Sequence, residues 1–398
     1  MYLHQAPKQM LGYIYQMRYA LYLLLKDDNP HAQVTIEKFD DISITTNTEQ
    51  QKNFQLKHHD LQTGDLTNSS TDLWKTLYIW IKLVETKKEL LNTTKFIIIT
   101  TAKTPPSSAA SFLGSDDSKR NESKAQEMLQ QVAHFSENKK HQPYYIAFTK
   151  CEKSLLDGLF TKIYILTEEA SATNIKPRLM NFLKYGTIPK YQERILERLE
   201  GWWENQVISA LSKKDYSLPN QDEVRGFIAR IRDEYTEQNL PIDVEPFQDL
   251  EETSLKKEER IFIEQLKLIG VGNNRIRLAI QDYYRAFAQR GNWIREGLLF
   301  PDELGNYESR LIDEWEHRFY ALLDEVPLVD MDEDAKQAKG KELFNDMEQL
   351  DIRIRQNCRE AFVMRGSYHQ LANQLRIGWH LEFEVRMKKI LANLKGKV

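Results

Sequence analysis

With 398 residues, 41% of them apolar, the chain is long enough for two domains, each with its own core. A formal net charge of −4 excludes the strongly basic balance of a protein that coats nucleic acid, and two cysteines far apart in sequence, Cys151 and Cys358, exclude a disulfide framework. No run approaches the ~18 apolar residues of a membrane span, and "MYLHQAPKQM" lacks the charged-then-apolar pattern of a secretion signal, so a soluble cytoplasmic protein is expected.

In chain order, "LGYIYQMRYALYLLLK" (11–26) is apolar almost all round at helical spacing and predicts a buried helix, stopped by "DDNP". "VTIEKFDDISIT" (34–45), rich in β-branched and aromatic residues, predicts a strand. A polar turn leads to a second strand, "FQLKHHD" (54–60), and the short connection predicts that the two pair. A Ser/Thr/Asp cluster then caps a helix beginning near Leu73. "TKFIIITT" (94–101) is a continuous apolar run of the kind buried on both faces. After a loop and the helix "KAQEMLQQVAHF", the segments "YYIAF" (144–148) and "KIYILT" (162–167) predict two further strands. The order describes an α/β domain on a mixed sheet over residues 1–185.

Beyond "GTIP" every periodic segment is helical, so residues 186–398 are predicted to be all-α. The charge balance changes at the same place. Residues 1–185 hold 23 Lys and Arg against 20 Asp and Glu, and the remainder holds 32 against 39. The mildly basic first part permits contact with nucleic acid without demanding it. "GVGNNR" (270–275) lacks the Gly-Lys-Ser/Thr end of a phosphate loop, so no ATP site is expected.

Alternation along a strand puts Gln55 and Lys57 on one face, with Phe54 and Leu56 on the other. If Ile42 and Ile44 face the core with Phe54 and Leu56, Asp41 shares the face of Gln55 and Lys57. The pair of strands then gathers a carboxylate, an amide oxygen and an ammonium. Metal-assisted phosphodiester cleavage uses such a set. A hard cation such as Mg2+, or Mn2+ in its place, takes oxygen ligands, polarises the phosphate and lowers the pKa of a bound water. The lysine stabilises the developing negative charge or orients the water. The spacing is the D-(x)n-(E/Q)-x-K pattern of restriction-endonuclease-like (PD-(D/E)xK) enzymes, with glutamine in the second slot. A hydrated strand surface is the bland alternative. Gln16, a polar residue on a nearly all-apolar helix, argues for a partnered site.

"GYIYQMRYALYLLL", "TIEKFDDISI", "FQLKHHD" and "STDLWKTLYIWI", in that order, resemble the double-stranded DNA endonuclease domain of CD-NTase-associated antiphage effectors. The resemblance is clear over residues 10–100 and looser to 185. It implies that Asp41, with Asp40 as competitor, is the metal-binding acid, that Gln55 and Lys57 form the Q-x-K pair, and that Gln16 is the polar residue of the first helix. Glu37 joins the metal ligands if the strand stays regular. The segment "YRAFAQRGNWIREGLLFPDELGNYESRLIDEWEHRF" (284–319) resembles the helical domain attached to such nucleases in ABC three-component systems. As a whole the chain resembles the nuclease subunits of Lamassu antiphage systems. That resemblance implies an SMC-like ATPase partner, a small accessory subunit, and cleavage switched on by release and self-association into a dimer or tetramer. Trp202, Trp203, Trp293, Trp315 and Trp379 recur in helical patterns and are expected in the core, or at an interface if exposed, and Trp293, Tyr307, Trp315 and Phe319 are suited to such an interface. The competing reading is a non-catalytic DNA-binding or scaffolding subunit with a degenerate nuclease fold, since glutamine removes one negative charge from the metal site.

Overall fold

The computed structural model describes residues 5–36, 41–46, 51–57, 65–167, 174–213, 217–244, 260–325 and 331–395. The chain divides into two compact units, Met1–Arg232 and Asp233–Val398.

The first unit opens with α1 (Gln5–Lys26), which buries Tyr15, Tyr19, Leu21, Leu24 and Leu25. The Asp27 carboxylate accepts the N–H of Asn29 and turns the chain out of the helix. Strands β1 (Gln33–Ile36), β2 (Ile42–Thr45), β3 (Gln51–Lys57), β4 (Thr94–Thr100) and β5 (Ile163–Leu166) form one sheet in sequence order. The β1–β2 and β2–β3 pairs are antiparallel, and the β3–β4 and β4–β5 pairs are parallel. The expected single strand over 34–45 is thus two strands folded back on each other, and the second of them pairs with β3 in the register Ile42↔Phe54 and Ile44↔Lys52.

Helices α1 and α2 (Thr71–Thr86) lie on opposite faces of the sheet. The face of Ile42, Ile44, Phe54 and Ile97 lies on the side of α1, which packs against β1 and β2. On the opposite face Phe96, Ile98, Ile163 and Ile165 share a core with Leu73, Leu77, Trp80 and Ile81 of α2. The Trp80 and Phe96 rings lie 5.3 Å apart. A short helical turn, α3 (Leu90–Thr93), leads into β4. The crossover from β4 to β5 carries three helices, α4 (Glu122–Phe135), α5 (Gln142–Lys150) and α6 (Lys153–Lys162).

Residues 144–148, expected as a strand, lie inside α5. Pro143 stands in its first turn, and Tyr145 and Phe148, three residues apart, both pack on Trp74. A five-residue apolar run does not distinguish the two periods, and here the i, i+3 contacts decide.

Helices α7 (Ile175–Leu183), α8 (Gln192–Lys213) and α9 (Gln221–Glu234) follow β5. Much of this helical stretch belongs with the first unit. Trp203 Nε1 donates to Met17 O at 2.9 Å, Arg18 pairs with Glu200 at 2.8 Å, and Gln221 Nε2 donates to Leu24 O at 2.9 Å. The compact unit therefore ends later than the change of secondary-structure class near residue 185.

The second unit is helical among its described residues: α10 (Ile261–Leu268), α11 (Asn273–Arg295), α12 (Glu303–Glu325), α13 (Glu333–Glu348), α14 (Ala361–Asn373) and α15 (Phe383–Lys395). The close approach of α11 and α14 requires Gly366, where a Cβ would stand 2.1 Å from Asp282 O. Trp293, Tyr307, Trp315 and Phe319, suited to an interface if exposed, are core residues of this unit, each at most 5% exposed. Their polar atoms are used internally: Trp293 Nε1 donates to Pro241 O, Trp315 Nε1 to Gly378 O, and the Tyr307 hydroxyl to Ile352 O. Helical spacing alone places an aromatic on an apolar stripe, and that stripe turns inward here. No described helix is long and apolar enough to cross a membrane.

Candidate functional site

The parallel order of β3, β4 and β5 brings their carboxyl ends to one edge of the sheet. Strand β2 runs the other way, so the residue before it, Asp41, comes to the same edge. One step beyond the Ile42↔Phe54 pair, Asp41 reaches Leu56 of β3. Asp41 Oδ2 accepts the backbone N–H of Leu56 at 2.8 Å. Strand N–H groups point within the plane of the sheet, so this bond holds the Asp41 carboxylate in the ladder line between β2 and β3. A charge-assisted bond of this kind fixes orientation, and a carboxylate retains further lone pairs for a cation.

Gln55 is 5% exposed and stands on the face covered by α2, in register with Ile98. It is no hydrated surface residue. Lys57 closes β3 opposite Thr100 and has the strand parity of Gln55. Its side chain lies outside the described residues, as do Glu37, Asp40, His58 and His59. Gln16 stands on α1, toward the other face. Its Oε1 is buried without a hydrogen-bond partner among the described residues, and no described hydrogen bond joins it to Asp41 or Gln55.

The sequence reading missed the rest of a polar row on this face. "QKNFQLK" places Gln51, Asn53, Gln55 and Lys57 at alternate positions, a polar period of two that could have revealed it. Asn53 is fully buried and pairs in register with Ser43, which is 1% exposed. Gln51 Nε2 donates to Asn53 Oδ1 at 2.7 Å, while Asn53 Nδ2 and Ser43 Oγ are buried without partners among the described residues. Next to Lys57, Thr100 Oγ1 accepts the N–H of Ala102 at 3.1 Å and shapes the exit of β4.

Of the expected metal ligands, Asp41 and Gln55 are described, with Asp41 bonded to the residue that follows Gln55, while Glu37 falls outside the described residues. Among the described residues no three His, Cys, Asp or Glu side chains converge. Two oxygen donors are compatible with Mg2+, which binds through one or two carboxylates and keeps several waters. They would not suffice for a cation that needs a full protein cage.

Three comparisons bear on these features. No curated protein matches the chain. Three solved structures of the Acinetobacter baumannii Cap4 SAVED/CARF-domain containing receptor are each 13% identical to it. With the cyclic trinucleotide 3'3'3'-cAAA the match covers 55% of this chain and 46% of the receptor, at a TM-score of 0.31. For the receptor described without a ligand the figures are 71%, 60% and 0.33, and with 2'3'3'-cAAA they are 66%, 57% and 0.33. The chain thus spans about half to three-fifths of the receptor's length. Residues 262–387 match the family described as C-terminal domain 7 of the ABC-three component (ABC-3C) systems, which ties the C-terminal unit to those systems.

Proposed function

We propose that the N-terminal unit is a restriction-endonuclease-like, metal-dependent double-stranded DNA endonuclease, and that the chain is the effector of an antiphage three-component system. The placement of Asp41 on the N–H of Leu56, the residue after Gln55, at the carboxyl end of the middle strand of a mixed sheet, supports this most directly. Ligands of open α/β sheets bind outside the carboxyl ends of the strands.

Asp41 and Gln55 would hold the cation, with Asp40 as the competing acid; Glu37 depends on a regular strand over 34–45, which folds back on itself instead. A bound Mg2+ or Mn2+ supplies Lewis acidity toward a phosphoryl oxygen and acidifies a water. The Leu56 N–H keeps the Asp41 carboxylate in one orientation, so no reorganisation is needed when substrate arrives. Burial beside α2 keeps bulk water from competing for the Gln55 carbonyl. Lys57, two residues further on, would set its ammonium against the scissile phosphate and stabilise the charge that develops there. The match of residues 262–387 supports a partner-binding role for the second unit. Its partners would be an SMC-like ATPase and a small accessory subunit that hold the nuclease silent until release and self-association.

The test is plasmid cleavage by the full chain with and without Mg2+, in parallel with Asp41→Asn. Asparagine still offers an oxygen to the Leu56 N–H, so the fold is preserved while the charge is removed. Cleavage should require the metal and fall on the order of 100-fold in the variant. Equal cleavage by Asp41→Asn removes Asp41 from the reaction. A scaffolding subunit is the second reading, favoured by the neutral glutamine and by the absence of a three-acid cluster among the described residues. Silence of the parent at every concentration and with every divalent metal supports it.

A further inference from the structure

On the other face of the sheet from Gln55 lies a cleft of about 670 Å³, within the range of small-molecule sites. Register explains its chemistry. Phe54, Ile97 and Tyr164 are neighbours across β3, β4 and β5 and form one row of the floor. The next row on the same face, two residues toward the amino ends of β3 and β4, runs Ile44, Lys52, Lys95. The two rows stand roughly 7 Å apart along the strands. An apolar and aromatic shelf therefore lies beside a pair of ammonium groups.

That pair is an anomaly for the fold. Like charges directly opposite each other on neighbouring strands are destabilising. Lys52 is partly compensated, with Nζ 3.2 Å from Asp27 Oδ2. Lys95 has no carboxylate partner among the described residues, and its Nζ lies 5.2 Å from the Tyr164 ring centroid. The whole lining holds three lysines against two aspartates, an excess of one positive charge.

We propose that this cleft binds a small organic anion, its apolar body held in the cleft that Phe54, Ile97 and Tyr164 line and its carboxylate or phosphate set against Lys52 and Lys95. The apolar row supplies contact area without a polar demand. The lysine row gains the counter-charge it lacks. Because the cleft and Gln55 lie on opposite faces of β3, its occupant is distinct from any phosphodiester engaged at Asp41, and the proposal stands apart from the nuclease reading.

Calorimetric titration of the full chain tests it with two anions, naphthoate and adenosine monophosphate, and their neutral counterparts, naphthamide and adenosine. At least one anion should bind saturably at a single site, about tenfold more tightly than its neutral counterpart, as expected for one charge-assisted contact. Lys95→Gln, at an exposed position, should weaken that anion about tenfold. Gln55→Leu, on the opposite face, should leave it unchanged. Binding of naphthoate alone assigns an aromatic carboxylate, and binding of adenosine monophosphate assigns a nucleotide. The proposal is overturned if neither anion binds at millimolar concentration, if the neutral compounds bind equally, if Lys95→Gln binds as the parent does, or if Gln55→Leu abolishes binding.

Discussion

Acidification should loosen the C-terminal unit through His369 on α14, among other groups. This side chain is 1% exposed, with ring centroids 5.3 Å from Phe262 and 6.1 Å from Phe344. Neither ring nitrogen has a hydrogen-bond partner among the described residues. Burial, and then the Arg365 guanidinium, push its pKa from 6.5 down to about 3. The unfolded chain takes up a proton near pH 6.5, while the folded unit refuses it until about pH 3. The associated stability is fully present above pH 6.5 and falls below it, by about 1.4 kcal/mol per pH unit, or roughly 2 kcal/mol by pH 5. His369→Leu removes this slope. At neutral pH it also removes an unsatisfied buried group, a gain of about 1–3 kcal/mol, offset by up to about 1.5 kcal/mol of packing mismatch. Urea unfolding read by pulsed hydrogen exchange on peptides from residues 361–373 isolates this unit from the first. The stability of the variant relative to the parent should grow steadily from about pH 6.5 to 5, while pH effects of other groups cancel in the difference. A difference that stays flat over that range refutes the argument.

Three further outcomes are expected. Gln55→Glu should retain Mg2+-dependent cleavage, because a carboxylate at the same reach is the stronger ligand, whereas Gln55→Leu should abolish it; plasmid cleavage at matched concentrations decides. Lys57→Ala should lose cleavage with the circular dichroism spectrum of the parent, and an unfolded or fully active variant contradicts its assignment. Gly366→Ala should cost about 3 kcal/mol or more, because its Cβ would meet Asp282 O at 2.1 Å and force α11 and α14 apart; a chain as stable as the parent in thermal unfolding would show that this contact relaxes freely.

What was legible in the sequence follows the strength of each local signal. Helix α1 and strands β4 and β5 carry long or strongly apolar patterns, and they stand where expected. The segment 144–148 failed because five apolar residues satisfy either period, and only the contacts of Tyr145 and Phe148 with Trp74 select the helix. Parity correctly put Ile42 and Phe54 on one face, since alternation needs only the register of the pair. It could not show that the Asp41 carboxylate turns into the ladder to meet the Leu56 N–H, because the strand ends there. It also could not separate core from interface for Trp293 or Trp315. Both lie on apolar helical stripes, and the direction a stripe faces is decided by distant partners such as Pro241 and Gly378.

Strand β3 has an antiparallel neighbour on one side and a parallel neighbour on the other, with helical cover over the face of Gln55. Segments so enclosed exchange their amides only when the whole unit opens. Gln55 and the end of Asp41's hydrogen bond ride on this strand, not on a loop that can fray. Damage elsewhere in the unit should thus thin the population of competent molecules without blunting each survivor. If the unit is the proposed nuclease, temperature-sensitive variants would lose yield of active protein before any loss of cleavage per folded molecule.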